Sequence, residues 1–133
     1  MSAKINKELL EKHELAVGTI SFYKNYMIVE AKEGIAFSYE NATELLELCK
    51  AYYSNTTPFV YISNRVNSYS FNPTSHFKTA PMFPNLKGYA VVAYDAMSYD
   101  IAKMEQTFLN APVQIFRELE EAIAWVSELI VMD

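Results

Sequence analysis

Apolar and polar positions alternate near the start of the chain in the manner of extended strands. Residues 14–24 and 26–32 are rich in strand-forming side chains, and Lys24-Asn25 between them suits a tight turn. These features predict a β-hairpin. The pattern becomes helical over residues 41–54, and Asn41 is the predicted N-cap of that helix because Glu44 follows three residues later, as in a capping box.

Short apolar runs then alternate with helical patterns along the rest of the chain. The run at residues 59–62 is typical of a buried strand, and Pro73 predicts the start of a short helix capped by Asn72. Further strands are predicted at 89–94 and 113–116, and further helices at 97–109 and 118–131. Since strands separated by helices imply parallel crossovers, we expect an α/β fold with a mixed, mostly parallel sheet, an N-terminal antiparallel hairpin and about four helices.

Length and charge narrow the class of protein further. The chain has 133 residues and only 3 glycines, with no linker-like stretch, so residues 1–133 are expected to form a single domain. Acidic residues outnumber basic ones by 16 to 11, which argues against a general role in nucleic-acid binding. No apolar run reaches the length of a signal peptide core or a membrane span, so a cytoplasmic protein is expected.

Residues suited to catalysis or metal binding are few. Cys49 is the only cysteine and falls in an apolar helical pattern, so we expect a buried thiol and no disulfide. His13 and His76 are the only histidines and make a weak case for a metal. Glycine-rich phosphate loops and the Gly-x-Ser-x-Gly elbow are absent from the sequence. We therefore expect no enzyme activity, no catalytic residue, no metal and no cofactor.

A polar and aromatic loop at residues 63–77 follows the predicted central strand. Open α/β sheets bind ligands at the carboxyl ends of their strands, and Arg65 offers a forked donor for an anion or an acidic partner. The alternative is a crossover loop whose Asn, Ser and Thr side chains bond to nearby backbone. The binding candidates are Asn64, Arg65, Asn67, Ser68, Tyr69, Ser70 and Asn72.

The closing segments carry a family resemblance. Val113–Phe116 followed by Glu121-Ala122-Ile123-Ala124-Trp125 resembles the last strand and Glu-Ala-x-x-Trp helix of STAS/SpoIIAA-like domains, which are akin in shape to the lipid-binding SEC14-like fold. The preceding pattern Ala102-x-x-Glu105-x-x-Phe108 is also similar to that family. The resemblance covers nearly the whole chain and rests mostly on core residues.

The resemblance implies a non-enzymatic bacterial regulatory module that docks onto a protein partner through loop 63–77. Anti-sigma-factor antagonists of this family carry a phosphorylatable serine after the central strand, within an Asp-Ser-Ser/Thr-Gly signature that this loop lacks. The phosphorylation candidates are therefore Ser68, Ser70, Thr74 and Ser75. The alternative is a carrier for a small apolar ligand or lipid, bound beneath the aromatic segment 69–83, and a closed aromatic cavity would favour it. An edge strand of the hairpin would also allow a homodimer.

Overall fold

The computed structural model describes residues 6–67, 69–71, 79–109 and 111–130 of the chain. Within these ranges lie eight strands, three α-helices and one 3-10 turn. The strands are β1 (Glu11–Leu15), β2 (Gly18–Phe22), β3 (Tyr26–Ala31), β4 (Ala36–Phe37), β5 (Phe59–Arg65), β6 (Ser70–Phe71), β7 (Leu86–Ala93) and β8 (Val113–Phe116). The helices are α1 (Thr43–Tyr53), α2 (Ala96–Glu105) and α3 (Leu119–Ile130), and the 3-10 turn is Ala80–Met82.

Six of the strands form one sheet in the order β1-β2-β3-β5-β7-β8. The first three strands pair antiparallel, and every later pair in this sheet is parallel. β4 and β6 pair with each other as a separate parallel two-stranded sheet. The predicted α/β class, with a mixed sheet that begins with an antiparallel hairpin, is confirmed.

The direction of the crossovers decides which face of the sheet each helix covers. The steps from β3 to β5, β7 and β8 all run the same way across the sheet, so right-handed connections place their crossovers on one face. On that face α1 packs through Leu45 and α2 packs through Ala102. α3 follows the last strand and covers the opposite face through Ala122 and Val126.

The first predicted strand is wrong in its extent, because residues 14–24 contain parts of two strands. The chain reverses at Ala16-Val17, between β1 and β2, and Gly18 has φ +152°. A Cβ at that position would lie 2.2 Å from the carbonyl oxygen of Glu30. The apolar alternation changes phase here, from Leu15 and Val17 to Ile20 and Phe22, but strand-forming residues lie on both sides, so composition alone did not predict the reversal. The predicted turn at Lys24-Asn25 is confirmed, and β1 forms the edge of the sheet.

The later strands are confirmed, two of them longer than predicted. β8 has the predicted bounds, and β7 begins at Leu86. β5 extends to Arg65, so the first three residues of the predicted loop 63–77 belong to a strand instead. Parallel pairing of residues 63–65 with residues 91–93 of β7 explains this extension, because neighbouring strands satisfy the backbone there.

The three long predicted helices are confirmed, with changes at their ends. Asn41 is not the N-cap of α1; that position is Ala42, which makes no side-chain capping bond. Asn41 instead accepts a hydrogen bond from the Ser38 amide and donates one to the Ala36 carbonyl, and so orders the preceding turn. The short helix predicted after Pro73 falls mainly on residues 72–78, outside the described residues.

Candidate functional site

A buried ion pair lies at the carboxyl end of β5. The Arg65 guanidinium Nη2 is 2.5 Å from the Glu105 carboxylate Oε2, and the two side chains are 4% and 0% exposed. Arg65 belongs to the central strand, whereas Glu105 is the last residue of α2. The pair therefore joins the helix to the middle of the sheet.

Hydroxyl groups surround this ion pair. Arg65 Nε donates to Ser63 Oγ at 3.0 Å, and Arg65 Nη2 lies 3.4 Å from the Tyr89 hydroxyl. Ser63 Oγ is also 3.3 Å from the Tyr69 hydroxyl. Burial raises the pKa of Tyr89 well above its ordinary value. Its hydroxyl therefore stays protonated and neutral beside the ion pair.

A cavity of about 80 Å³ adjoins this polar cluster on the face covered by α1 and α2. Liquid water occupies about 30 Å³ per molecule, so the cavity has room for a ligand of a few heavy atoms. Its lining is almost entirely apolar or aromatic. It is formed by Leu45, Leu46 and Cys49 of α1, Phe59, Tyr61, Leu86 and Tyr89 of the large sheet, Phe37 of β4, and Ser38, Tyr39, Ala42, Thr79, Phe83 and Leu109 outside these elements.

Two tyrosines belong both to the cavity wall and to the polar cluster. Tyr61 on β5 and Tyr89 on β7 are direct partners in the parallel register. Their rings stack with centroids 5.0 Å apart and an angle of 14° between planes. The Tyr89 hydroxyl lies 3.4 Å from Arg65 Nη2, so this residue joins the cavity wall to the ion pair.

The small second sheet joins two connections that follow the carboxyl ends of β3 and β5. Ala36 pairs with Ser70, and the Ser70 amide donates to the Ile35 carbonyl at 3.0 Å. Phe37 and Tyr69 pack with ring centroids 6.1 Å apart. This pairing ties the connection that follows β3 to the connection that follows β5.

On the opposite face of the sheet, a separate series of hydrogen bonds links side chains near the carboxyl ends of β3, β5 and β7. Asn64 Nδ2 donates to Glu30 Oε2 at 2.7 Å, and the Tyr94 hydroxyl donates to Asn64 Oδ1 at 2.7 Å. Tyr94 also lines a second cleft of about 340 Å³ together with Asp95 and Arg117. Since exposed and charged side chains form much of this cleft, it differs in kind from the apolar cavity.

The predicted binding residues occupy very different environments. Asn64 and Arg65 are buried, so Arg65 faces Glu105 rather than presenting an exposed fork to an anion. Asn67 is exposed and donates to the Ala31 carbonyl, Tyr69 is half-buried, and Ser70 is exposed in β6. The remaining candidates lie outside the described residues: Ser68, Asn72, Thr74 and Ser75.

Glu105 is the residue of this buried cluster that the sequence did not single out as a site residue. It lies among apolar positions of its helix, one turn before Leu109 and three residues after Ala102. A carboxylate on the buried side of an amphipathic helix signals a buried partner, because an unpaired charge there is costly. That signal was present in the sequence, but its partner could not be identified from it.

The expected burial of Cys49 is confirmed. The thiol lies in the core, and burial raises its pKa from 9.0 to about 12. His13 lies beside the ring of Phe22, and its Nε2 is 3.2 Å from Glu11 Oε1. In the described ranges, no group of three or more His, Cys, Asp or Glu side chains is placed to hold a metal ion. No helix there is both long and apolar enough to cross a membrane.

Comparison with known proteins supports the fold assignment. A solved structure similar to this chain is an uncharacterised protein of the DUF3478 family with a SpoIIAA-like fold, from Shewanella loihica PV-4. The two share 12% sequence identity with a TM-score of 0.56, over 95% of this chain and 98% of that one. No protein-family profile matches the chain, and no curated protein sequence matches it significantly. The fold is SpoIIAA-like.

Proposed function

We propose that this chain is a non-enzymatic binding module that holds a small apolar ligand between the sheet and α1. The observation that carries the proposal is the cavity of about 80 Å³ with its apolar and aromatic lining. Small-ligand sites are concave and mostly apolar, with a few polar groups that orient the ligand. Tyr61 and Tyr89, which line the cavity, carry hydroxyls of that kind.

The cavity sets the size of its occupant. Each methylene buried from water contributes about 0.8 kcal/mol to binding, so affinity is expected to rise with chain length while methylenes still enter the cavity. Once the cavity is full, further methylenes remain in water and add little. A series from butanol through hexanol to octanol therefore measures how much of an alkyl chain the protein buries.

Titration of the labelled protein with this series, followed by amide NMR, tests the proposal. Shifts are expected at Tyr61, Tyr89 and the α1 residues that line the cavity. Leu46→Phe places a bulkier ring against the cavity and is expected to weaken binding strongly. Leu48→Phe makes the same change on the same helix at a position outside the cavity lining, so it serves as the matched control. Equal binding by both variants, or shifts confined to the surface, would contradict the proposal.

Docking onto a protein partner is the second candidate function. Val66 and Tyr94 follow paired residues of neighbouring strands, and Met97 lies three residues further along. These apolar side chains are 52%, 51% and 74% exposed, and the exposed Asn67 directly follows Val66 in the chain. Neighbouring exposed apolar side chains favour a contact surface. Phosphorylation of the exposed Ser70, four residues after Val66, would add negative charge to this part of the chain.

Two measurements distinguish this second candidate from ligand binding. Native mass spectrometry of protein purified from its own host should detect a covalently added phosphate if the docking surface is switched. A bound apolar ligand is instead lost on denaturation. Affinity capture should then be carried out with the unmodified chain and with the double variant Val66→Ser/Met97→Ser. We expect the double variant to lose any specific partner that the unmodified chain retains. Retention of that partner by the double variant would remove these side chains from the interface.

A further inference from the structure

The strand β1 is an edge of the large sheet, and in the described part of the chain no strand pairs with its outer side. An edge strand can pair with a strand of another molecule through its backbone groups. β1 is extended beside β2 over 5 residues, and its side chains point alternately to the two faces of the sheet. The side chains of β1 therefore decide which strand fits beside it.

One face of β1 carries a positive and a negative side chain. Lys12 and Glu14 are both exposed, and because they lie two residues apart they point to the same face. Their partners on β2 are Ser21 and Thr19, which carry no charge. Neither Lys12 nor Glu14 forms an ion pair with another residue that the structure describes. A strand that pairs with the outer side of β1 would meet both charges.

A second copy of β1 matches this pattern in one register. A two-fold axis perpendicular to the sheet pairs the two copies antiparallel and keeps the same face of both on the same side. An axis through Lys12 places two lysines opposite each other, and an axis through Glu14 places two carboxylates opposite each other. An axis through His13 places Lys12 of each copy opposite Glu14 of the other and pairs the whole of β1. Opposite charges in directly paired positions stabilise an antiparallel pair, whereas like charges destabilise it.

Exposed apolar side chains near both ends of β1 favour the same register. Leu10 precedes β1 and is exposed, and its amide donates to the Phe22 carbonyl at 2.9 Å, so the chain already runs beside β2 at this residue. With the axis at His13, Leu10 of each copy lies opposite the exposed Ala16 of the other. Pairing therefore removes apolar surface from water at both ends of the contact.

We infer that the chain forms a two-fold symmetric dimer in which the two β1 strands pair antiparallel about His13 and join the two large sheets into one continuous sheet. The partner is a second copy of this chain, and ion pairs between Lys12 and Glu14 of the two copies set the register. None of the residues that line the apolar cavity belongs to β1, so the inference is independent of the proposed function.

Sedimentation velocity over a range of protein concentrations measures the dimer, which is expected for the unmodified chain at micromolar concentrations. Lys12→Glu and Glu14→Lys each place like charges opposite each other at both symmetry-related positions. Each variant should therefore weaken dimerisation at least about tenfold. The double variant Lys12→Glu/Glu14→Lys restores opposite charges and should dimerise like the unmodified chain. Lys87→Glu and Glu128→Lys, at exposed positions outside β1, are the charge-matched controls and should stay dimeric.

Mixing the two single variants tests the pairing directly. Each is expected to be mainly monomeric alone, but an equimolar mixture should form a heterodimer, because Lys12→Glu leaves two negative charges on one strand and Glu14→Lys leaves two positive charges on the other. Circular dichroism checks that both variants are folded. The register is checked in a mixture of labelled and unlabelled unmodified chains, where an intermolecular NOE is expected between the methyl groups of Leu10 and Ala16.

Several results would overturn the inference. A chain that is monomeric at every concentration has no such dimer, and a dimer that neither single variant weakens is formed by another surface. A double variant that associates as weakly as the single variants would show that the charges do not set the register. Absence of the contact between Leu10 and Ala16 in a dimer would exclude the axis at His13. A monomer that still binds hexanol would leave the proposed function intact.

Discussion

Arg65 on the central strand and Glu105 at the end of α2 neutralise each other inside the protein, with Nη2 and Oε2 2.5 Å apart. Removing one partner leaves the other charge buried and unpaired, which costs about 3–5 kcal/mol. Replacing both partners with apolar side chains of similar size removes that cost.

We therefore expect Arg65→Met and Glu105→Leu each to lower the free energy of unfolding by about 3–5 kcal/mol. The free energy of unfolding of the double variant should be much closer to that of the unmodified protein than the sum of the two single changes would give. Urea denaturation of the four proteins measures this coupling. Arg117→Met, at an exposed arginine, should change stability by less than about 0.5 kcal/mol. Additive losses in the double variant would show that the two charges act independently.

The buried thiol of Cys49 predicts a loss of stability at alkaline pH. Burial raises its pKa from 9.0 to about 12, so the folded state keeps a proton that the unfolded chain releases. This contribution is fully present below pH 9.0 and disappears as the pH rises toward about 12. Cys49→Ala should lose stability less steeply over this range. Urea midpoints measured below and above pH 9.0 test this, and equal slopes for the two proteins would contradict it.

Gly18 and Gly34, which both have a positive φ, allow a matched comparison of the cost of adding a Cβ. At Gly34, with φ +77°, an added Cβ meets nothing within 4 Å, so Gly34→Ala should cost only the left-handed strain of about 1–2 kcal/mol. At Gly18 the same atom would lie 2.2 Å from the Glu30 carbonyl oxygen. Gly18→Ala should therefore cost more than about 3 kcal/mol. Thermal unfolding of both variants measures the two losses of stability. A loss for Gly18→Ala no greater than that for Gly34→Ala would show that the backbone around Gly18 relaxes to accommodate the added Cβ.

Asn85 is predicted to hold the connection between α1 and β5. It is 6% exposed, and its side-chain amide donates to the carbonyls of Tyr53, Ser54 and Thr57. Asn85→Ala should destabilise the protein by about 1–3 kcal/mol, because the partly buried carbonyls of Ser54 and Thr57 lose their side-chain donor. Asn85→Asp should cost more at neutral pH, since its carboxylate would face those carbonyl oxygens.

The control for this prediction is Asn25→Ala. Asn25 makes one comparable bond, from Nδ2 to the Pro58 carbonyl, and is only half-buried. Chemical denaturation should therefore rank Asn25→Ala as the mildest of the three variants. An equal cost for Asn25→Ala and Asn85→Ala would show that burial and the number of bonds do not govern the effect.

Much of the fold could be predicted from the sequence, because the later strands are apolar runs separated by amphipathic helices. Residues 113–116 and the core of residues 89–94 were predicted on this basis and confirmed. The reversal before Gly18 was missed, since strand-forming residues lie on both sides of the turn and the change in the phase of the alternation there was not used. The true end of β5 was also missed, because polar side chains obscure a strand whose pairing is satisfied by its neighbours.

The candidate site was less predictable, and the reason lies in its distant contacts. Arg65 was recognised as an important donor, but the carboxylate that it binds comes from another element of the chain. The apolar cavity depends on how Phe37, Leu46 and Tyr61 meet across three elements. Local patterns report the face on which a side chain lies, but not the gap that remains between packed elements.

The order of strands in the large sheet has a consequence for synthesis on the ribosome. Each new strand adds to the outer edge of the one before it, so no strand has to be inserted between two that have already formed. The growing sheet nevertheless presents Val60, Ile62 and Ala90 on the face that α3 covers. Until that last helix emerges from the exit tunnel, the nascent chain exposes an apolar surface open to aggregation or to chaperone capture.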